Sequence, residues 1–363
     1  MSDVFEAIKK KLESSAKGQR IMILSESEIA GEVEYMETPT YDLNRILSGS
    51  IYKGVPSRTH TLLVGPEASG KSSFMCLTLA AAQRKGYIPF IIDAEGAWTA
   101  EFCARWGIDP TKAFIINTPW IEEIMVELAK VIEEGWTNLA IAMDSIGAVE
   151  SYKMIKDGVE GDVKADQGGL QKKIKRMMKM IVDITKRQNS ISLSAGHYYG
   201  NPTGYGDPEK IGGGFYPKLA ADIIITLKKS PIYENPTAKA AARGKVLGTE
   251  IHAATIKNRY APPFQEAIIE ITYETGVNKL AGLIPVCVDL GLIEKGGSWY
   301  TIPSLDIKVQ GEAKLYEALT DDVIAPLLTD LEITLKSHGY STVNTDMAVS
   351  FDETEVVIEP VDT

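Results

Sequence analysis

The sequence predicts an α/β protein built around a mainly parallel β-sheet. From residue 40 onward, apolar runs of strand length alternate with helical segments, and runs that are apolar throughout are typical of strands covered on both faces. A glycine-rich segment lies between the first of these strands and the first long helix. The later strands follow one another without long helices, which predicts an antiparallel edge to the sheet.

The individual elements can be placed along the chain from these patterns. The predicted strands are Leu62–Val64, Pro89–Ile92, Phe114–Ile116, Leu139–Met143, Ile191–Ala195, Ile223–Leu227, Glu250–Ile256 and Ala267–Ile271. The predicted helices are Ser73–Lys85, Ile121–Glu134 and Gly169–Gln188. Near Asn278 the pattern changes to short helices and a Gly296-Gly297 turn, which predicts a small C-terminal α+β domain.

These elements suggest four regions. We expect an N-terminal helix and linker over 1–32, a core over 33–277, a small domain over 278–345 and an acidic tail over 346–363. The tail carries six carboxylates and no cation. In the first region Phe5, Ile8 and Leu12 form an apolar stripe on a charged helix. That stripe either covers the chain's own core or docks on a neighbouring subunit.

Composition narrows the class of protein. A chain of 363 residues with 44% apolar content can bury a large core, and its net charge of −11 argues against indiscriminate nucleic-acid binding. The charged N-terminus lacks the apolar centre of a secretion signal, and no apolar run reaches 18 residues, so a cytoplasmic protein without a membrane span is expected. Cys76, Cys103 and Cys287 lack C-x-x-C spacing, which predicts buried thiols rather than disulfides or zinc ligands.

The glycine-rich segment fits the phosphate-loop pattern G-x-x-x-x-G-K-[ST]. Its residues are Gly65, Pro66, Glu67, Ala68, Ser69, Gly70, Lys71 and Ser72. Such a loop lets backbone N–H groups converge on a polyphosphate at a helix N-terminus, while Lys71 reaches the β and γ phosphates and Ser72 ligates Mg²⁺. A plain glycine turn would also fit the letters. The strand before the segment and the helix after it favour nucleoside triphosphate binding.

Polar residues at strand ends are the next candidates, because ligands lie at the carboxyl ends of parallel strands. Asp144 and Ser145 follow a buried strand, and Asp144 could help to hold hydrated Mg²⁺ or could merely cap a helix. Asp93 and Glu95 would share one face if the strand continued, and either could activate water. His197 follows another strand, where it could be structural or could link the phosphate site to the glycine-rich and aromatic segment 198–214.

A cationic region lies between Lys153 and Arg187, which includes ten Lys or Arg. Several of these cations alternate with apolar residues on the predicted helix 169–188: Lys172, Lys173, Lys175, Arg176 and Lys179. A solvated amphipathic helix with a methionine-lined core face explains most of this pattern. The glycine-containing segments on either side, with their tyrosines, also suit single-stranded nucleic acid, because aromatic rings stack on bases and cations contact phosphates.

These residues together resemble the RecA family of DNA recombinases, in its bacterial and T4-like phage forms, over roughly residues 41–316. The resemblance rests on Gly65–Ser73, on Ile92-Asp93-Ala94-Glu95 and on Met143-Asp144-Ser145. It implies a RecA-like ATPase core that binds ATP and Mg²⁺, with Ser73 and Ser145 in the nucleotide site. It also implies that Glu95 is the catalytic carboxylate and that Phe102 packs against adenine.

The resemblance extends to the DNA-binding and interface residues. It implies DNA-binding loops over about 153–168 and 198–214, and it assigns DNA contacts to Lys164, Lys172, Lys173, Arg176, Tyr199, Gly200, Asn201, Gly212 and Gly213. Lys257 and Arg259 are similar to two family cations that reach ATP on the adjacent subunit, although bacterial members have lysine in place of Arg259. His197 replaces a bacterial glutamine and, like Gly212–Gly214, is similar to the phage proteins, which suggests a phage origin.

The function implied is that of a DNA-dependent ATPase that forms helical filaments on single-stranded DNA and catalyses pairing and strand exchange with double-stranded DNA. Expected partners are DNA, further copies of the chain, a mediator or loader, and a single-strand-binding protein. Three other functions stay open. A hexameric helicase or motor, a regulatory ATPase that binds no DNA, and a nucleotide kinase could all use the same phosphate loop.

Overall fold

The computed structural model describes Phe5, Ile8 and Lys10, then residues 33–154, 167–200, 209–211, 214–235 and 244–338. The chain divides into two compact units, Met1–Glu34 and Tyr35–Thr363. In the first unit Phe5, Ile8 and Lys10 are helical, whereas Val33 and Glu34 belong to no helix or strand. The side chains of Phe5 and Ile8 are exposed. None of the helices within these ranges has the length and apolar character that crossing a membrane requires.

The second unit alternates strands and helices in its first half, as the sequence predicts. The strands are β1 Tyr35–Met36, β2 Val55–Pro56, β3 His60–Val64, β4 Ile88–Asp93, β5 Phe114–Asn117, β6 Leu139–Asp144, β7 Ile191–Gly196, β8 Tyr198–Gly200, β9 Glu209–Ile211, β10 Ile223–Tyr233, β11 Val246–Lys257, β12 Glu266–Thr272, β13 Gly276–Val277, β14 Glu294–Gly296, β15 Trp299–Ile302 and β16 Ile307–Gln310. The α-helices are α1 Tyr41–Ser48, α2 Lys71–Arg84, α3 Ala100–Arg105, α4 Ile121–Glu133, α5 Gln167–Arg187, α6 Tyr216–Ala220, α7 Leu283–Asp289, α8 Glu312–Ala318 and α9 Asp321–Ser337. Short 3-10 turns cover Pro110–Lys112, Ile146–Ala148 and Pro303–Leu305.

In the described part of the chain the central sheet has nine strands, in the order β13-β12-β11-β10-β3-β7-β6-β4-β5. The strands from β10 to β5 are parallel to their neighbours, whereas β10, β11, β12 and β13 pair antiparallel. This arrangement confirms the predicted mainly parallel α/β sheet with an antiparallel edge. Because β3, β4, β6 and β7 run in the same direction, the residues that follow them meet at one edge of the sheet, here called the carboxyl edge.

Alternate side chains of the parallel strands serve two different cores. Leu63 and Ile91 pack with α2 on one face, whereas Leu62 and Ile92 pack with α4 and α5 on the other. On α5 the methionine-lined face is buried as predicted, with Met177 and Met178 fully inside. This period-2 alternation is the reason why the strands are apolar throughout.

Strand β5 departs from the prediction that the strands are covered on both faces. Phe114 and Ile115 are 55% and 48% exposed, although their run is as apolar as those of the central strands. β5 is the last strand of the sheet and, within the described residues, pairs only with β4. An edge strand can be left uncovered by its own chain, and composition alone does not distinguish it from a central one.

The predicted glycine turn after residue 278 is present between β14 and β15, where Gly297 has a φ of 62°. Strands β14, β15 and β16 form a small antiparallel sheet that shares an apolar core with α7 and α9. Glu332 of α9 accepts hydrogen bonds from Ser50 Oγ (2.8 Å) and from the backbone N–H of Ile51 (3.0 Å). The four-region organisation stays a prediction, and the tail at 346–363 lies outside the described residues.

Candidate nucleotide site

The residues Gly65–Gly70 form a loop that connects β3 to α2, and Lys71 and Ser72 begin the helix, in the position predicted for a phosphate loop. Gly70 has a φ of 94°, a backbone conformation that favours glycine, and a Cβ on it would lie 2.6 Å from Ile251 Cδ1 at the end of that side chain. At Gly65 a Cβ would lie 2.4 Å from the carbonyl oxygen of Leu227. Neighbouring strands thus press on the loop at both glycines and fix its path.

Lys71 begins α2 and its side chain folds over the loop. Its Nζ donates to the carbonyl oxygens of Gly65 (3.0 Å) and Pro66 (2.7 Å). Burial lowers the pKa of Lys71, while the charges of Asp144, Glu95 and Glu67 oppose that shift. A cation held over a ring of backbone groups at a helix N-terminus is suited to polyphosphate.

Asp144 ends β6 at the same edge and is 2% exposed. Its Oδ2 accepts hydrogen bonds from Ser72 Oγ (2.6 Å) and from Trp98 Nε1 (2.9 Å). Burial, with smaller contributions from the charges of Glu95 and Asp93, raises the pKa of Asp144, and the two hydrogen bonds partly offset this effect. A buried carboxylate whose hydrogen-bond donors are neutral gains from a nearby cation, and oxygen ligands are those that Mg²⁺ prefers.

Asp93 and Glu95 were expected to share one face if the strand continued, but the strand does not continue, because β4 ends at Asp93 and the chain then bends. Asp93 is fully buried, and its carboxylate accepts from the backbone N–H groups of Glu95, Gly96 and Trp98. The strand therefore ends in a turn held by Asp93. Glu95 is instead 39% exposed on the cavity, so the structure separates a structural carboxylate from an accessible one.

Ser145 and His197 lie on either side of Glu95. Ser145 Oγ donates to Glu95 Oε1 (2.6 Å), and His197 Nε2 lies 3.5 Å from the same oxygen. His197 follows β7 directly, whereas Ser145 follows β6, so the order of strands brings both to the end of β4. Glu95 thus has one hydroxyl donor and one imidazole within reach.

A cavity of about 760 Å³ collects most of the predicted nucleotide-site residues. Its lining includes Glu67, Ala68, Ser69, Gly70, Lys71, Ser72, Ser73, Glu95, Phe102, Asp144 and His197. Pro66 and Ser145 line an adjoining cavity together with Glu95 and His197. The ring of Phe102 lies edge-on to that of Trp98, with centroids 5.7 Å apart. One cavity therefore contains the loop, the carboxylates and an aromatic wall.

Four lining residues were missed by the sequence reasoning, Ala97, Trp98, Ala148 and Lys229, and two of them carry polar groups, Trp98 and Lys229. Trp98 is 5% exposed and bonds Asp144, and its position just after the Asp93-Ala94-Glu95 segment could have marked it. Lys229 lines the cavity because β10 continues to Tyr233, beyond the predicted end at Leu227, so that Lys229 belongs to the strand. The polar residues after Leu227 gave no signal for this longer strand, which depends on its pairing with β11.

The structure does not bring Lys257 and Arg259 to this cavity. Lys257 ends β11 opposite Ile224, near the beginning of β10, so both cations lie at the other edge of the sheet, here called the amino edge. Lys257 Nζ donates to the carbonyl oxygens of Lys218 (3.2 Å) and Leu219 (3.4 Å). Arg259 Nη1 donates to Asp222 Oδ1 (3.0 Å).

The predicted DNA-binding residues are only partly described. Lys172 and Arg176 are exposed on α5, but Lys173 is 30% exposed and pairs with Glu122 at 2.7 Å, so its charge is already partly compensated. Tyr199 and Gly200 belong to β8, which pairs with β9. Lys164, Asn201, Gly212 and Gly213 lie outside the described residues.

Sequence comparisons agree with this architecture. The chain matches the sequence model of the RecA N-terminal domain over residues 3–278. It is similar to Protein RecA of Thermus thermophilus (26% identical, 78% of this chain and 83% of the relative), of Agrobacterium fabrum (27%, 84% and 80%) and of Rhizobium rhizogenes (26%, 93% and 89%). The matched family model spans residues 3–278, a range that includes the segment 65–72, the carboxylates at the carboxyl edge and the central sheet, so this chain belongs to the RecA family.

Proposed function

We propose that this protein is a DNA-dependent ATPase that forms helical filaments on single-stranded DNA and catalyses homologous pairing and strand exchange in recombination and repair. The observation that carries the proposal is the division of the site between the two edges of one sheet. Lys71, Glu95 and Asp144 lie at the carboxyl edge, whereas Lys257 and Arg259 lie at the amino edge. A site divided in this way is completed by stacking copies head to tail, which generates a closed ring or an open helical polymer according to the rotation between copies. The proposal takes the open helical polymer, and microscopy distinguishes the two.

The carboxyl edge fits ATP with Mg²⁺. Ser69 Oγ is buried in the loop without a hydrogen-bond partner among the described residues, so it is available to a ligand. Lys71 Nζ is held at the loop by two carbonyl oxygens, where it would lie beside bound phosphates. Ser72 and Asp144 would hold Mg²⁺, and Phe102 would pack against the base. The bound ion supplies charge neutralisation at the phosphates. The chain's own contribution is to hold the triphosphate against α2 and to keep water away from the buried Asp144.

Glu95 is the proposed base for the attacking water. Its Oε1 faces the cavity and is fixed by the hydroxyl of Ser145, so the carboxylate has a defined orientation. His197 is close enough to exchange a hydrogen bond with Glu95 or with a phosphate oxygen, and it is followed directly by β8. We infer that His197 reports the γ phosphate to the segment 198–214, as loops do in nucleotide switches.

Lys257 and Arg259 would stabilise negative charge on the ATP of the adjacent subunit. Arg259 uses one nitrogen on Asp222, and its side chain is 60% exposed, so most of its N–H groups can reach a partner. In this scheme hydrolysis depends on assembly, because a single chain presents its ATP without these cations.

The uncovered edge strand β5 supports assembly. Among the described residues β5 pairs with another strand on one side only, and its exposed Ile115 lies in a groove with Val126, which is 54% exposed. An added strand or an apolar helix from another copy would bury this surface. The N-terminal stripe of Phe5, Ile8 and Leu12 has the matching apolar character.

The exposed cations of α5 support contact with DNA. The exposed cations on the face opposite the methionines are Lys172, Lys175, Arg176 and Lys179. Double-stranded DNA, a mediator or loader, and a single-strand-binding protein belong to the proposed partners of such a filament.

Electron microscopy with a nonhydrolysable ATP analogue, with and without single-stranded DNA, is the first test. Filaments on DNA are expected, and a parallel strand-exchange assay with homologous duplex should yield joint molecules. The control variant Lys71→Ala should form neither, because it removes the phosphate-binding cation.

The alternatives predict different results in these assays. Rings that unwind duplex without joint molecules would indicate a hexameric helicase or motor. Absence of binding to single-stranded DNA with ATP at low salt would contradict the proposal and favour a regulatory ATPase, because several cation contacts should give measurable affinity. Transfer of phosphate to a second nucleotide without DNA would indicate a nucleotide kinase.

A further inference from the structure

A second buried carboxylate lies at the amino edge, outside the nucleotide cavity. Asp222 precedes β10 and is 1% exposed. Its Oδ2 accepts from Lys186 Nζ (2.6 Å) and from the backbone N–H of His60 (2.9 Å). Its Oδ1 accepts from Arg259 Nη1 (3.0 Å). One carboxylate therefore connects the end of α5, the beginning of β3 and the segment after β11.

The two oxygens of Asp222 serve different purposes. The contacts on Oδ2 come from the less exposed groups, because the Lys186 side chain is 32% exposed and His60 is fully buried. The contact on Oδ1 is to Arg259, whose side chain is 60% exposed. One nitrogen of Arg259 is thus held by a buried charge, while the rest of the guanidinium stays exposed to solvent. The ion pair therefore orients Arg259 and leaves its other N–H groups available to a partner.

The neighbouring cation is held by the same segment of chain. Lys257 bonds the carbonyl oxygens of Lys218 and Leu219 at the end of α6, a few residues before Asp222. Lys257 and Arg259 repel each other, and Asp222 lies close enough to attract both. The segment 218–222 thus holds two like charges side by side. Without these contacts the charges would repel each other, and each side chain would regain about 2 kcal/mol of rotamer entropy by moving freely.

We propose that Asp222 is a positioning residue that holds Arg259 in the orientation in which it meets the ATP of the adjacent subunit. This inference rests on the proposed function, because it requires that Arg259 act across the interface. Asp222 itself is buried and contacts no nucleotide. Its effect passes through Arg259, so that loss of Asp222 should lower turnover at the neighbour's site and leave nucleotide binding by its own chain intact.

The variant Asp222→Asn keeps the size of the side chain and removes the charge. We expect DNA-stimulated ATP turnover to fall by about 10- to 100-fold, the loss associated with a misplacement of about 1 Å. The affinity of the isolated chain for a fluorescent ATP analogue should stay within about twofold of wild type. The matched control Lys186→Gln removes a partner of Oδ2 and leaves Arg259 on Oδ1, so its turnover should stay near that of wild type.

Mixed filaments distinguish a role across the interface from damage within the chain. Filaments of Asp222→Asn alone or of Glu95→Gln alone should turn over ATP at the reduced rates expected of each variant. In a mixture some interfaces combine an intact Glu95 with a correctly held Arg259. Random head-to-tail mixing of equal amounts should restore about a quarter of the interfaces. A parallel mixture of Arg259→Ala with Glu95→Gln tests the trans role of Arg259 itself.

Recovery in both mixtures supports the role of Asp222. Recovery only in the Arg259→Ala mixture would show that Asp222→Asn damages its own chain and would overturn the inference, as would wild-type turnover by Asp222→Asn alone. No recovery in either mixture, with co-assembled filaments seen by microscopy, would overturn the trans role of Arg259 and the role of Asp222 with it.

Discussion

Asp144 and Asp222 lie at opposite edges of the same sheet and are equally buried, yet their surroundings differ. Asp144 accepts hydrogen bonds from the neutral groups of Ser72 and Trp98, and burial raises its pKa. Asp222 accepts from two cations of its own chain, Lys186 and Arg259. The carboxyl edge therefore keeps a charge that a bound cation can satisfy. At the amino edge the charge of Asp222 is already balanced by Lys186 and Arg259. Two cations share one carboxylate there, and the exposed side chain of Arg259 carries positive charge at the surface.

The largest expected effect concerns the accessible carboxylate of the carboxyl edge. Glu95→Gln should lower ATP turnover by about 10²- to 10⁴-fold, the contribution of a general base, while filaments still form. Phosphate release with single-stranded DNA measures turnover, and microscopy reports assembly. Glu101→Gln is the matched control, because Glu101 is an exposed carboxylate paired only with Arg105 among the described residues. Unchanged turnover in Glu95→Gln would show that another group activates water.

The response to acid should have opposite signs at the two edges. At the amino edge burial lowers the pKa of His60 from 6.5 to about 4, so below pH 6.5 the unfolded chain takes up a proton that the folded chain refuses. Stability is then lost as the pH falls from 6.5 toward 4, by up to about 3 kcal/mol. At the carboxyl edge the raised pKa of Asp144 means that the folded chain binds its proton first, so acid relieves a cost there.

Denaturant unfolding at a series of pH values between 7 and 4 can isolate the contribution of His60. The difference in unfolding free energy between wild type and His60→Asn should shrink as the pH falls, because the variant lacks the histidine's proton uptake. A difference that is constant over this range would contradict the prediction. The nucleotide-free protein should be used, so that binding does not add to stability.

Neutralising each aspartate should also give different results. Asp222→Asn should lower the free energy of unfolding by about 2 kcal/mol, less than for a fully buried ion pair because both cations are partly exposed. Asp144→Asn should leave it unchanged or raise it by up to about 1 kcal/mol, since a neutral amide avoids the cost of burying charge. Thermal unfolding without nucleotide measures both. Equal losses would show that the two carboxylates are not distinguished by their partners.

The smallest expected effect concerns α5, which runs from the carboxyl to the amino edge. Lys172→Ala should reduce the slope of log affinity against log salt for single-stranded DNA by about 1, because it removes an exposed cation. Lys173→Ala should change it less, because Lys173 is paired with Glu122. Fluorescence anisotropy with a labelled oligonucleotide over several salt concentrations gives both slopes. Equal slopes would show that the Glu122 pair opens on binding.

Much of the fold was predictable because its signals are local. Strand and helix positions follow from apolar runs and helical periods, and the structure reproduces them with small shifts at their ends. The exposure of β5 and the extension of β10 to Tyr233 were not predictable, because both depend on which strands lie alongside. The same limit applied to Asp93, whose role depended on whether the chain continued or turned after β4.

The sequence by itself determined the phosphate-loop pattern, the positions of Glu95 and Asp144 near strand ends, the amphipathic character of α5 and the family. Each of these features depends only on the types of residues that lie close together in the chain. Only the tertiary structure decided that Trp98 bonds Asp144, that Ser145 and His197 flank Glu95, and that Asp222 holds Arg259. These contacts join residues that are far apart in the chain. They exist because the order of strands in the sheet brings the ends of separate strands together, and that order is fixed by packing across the whole core.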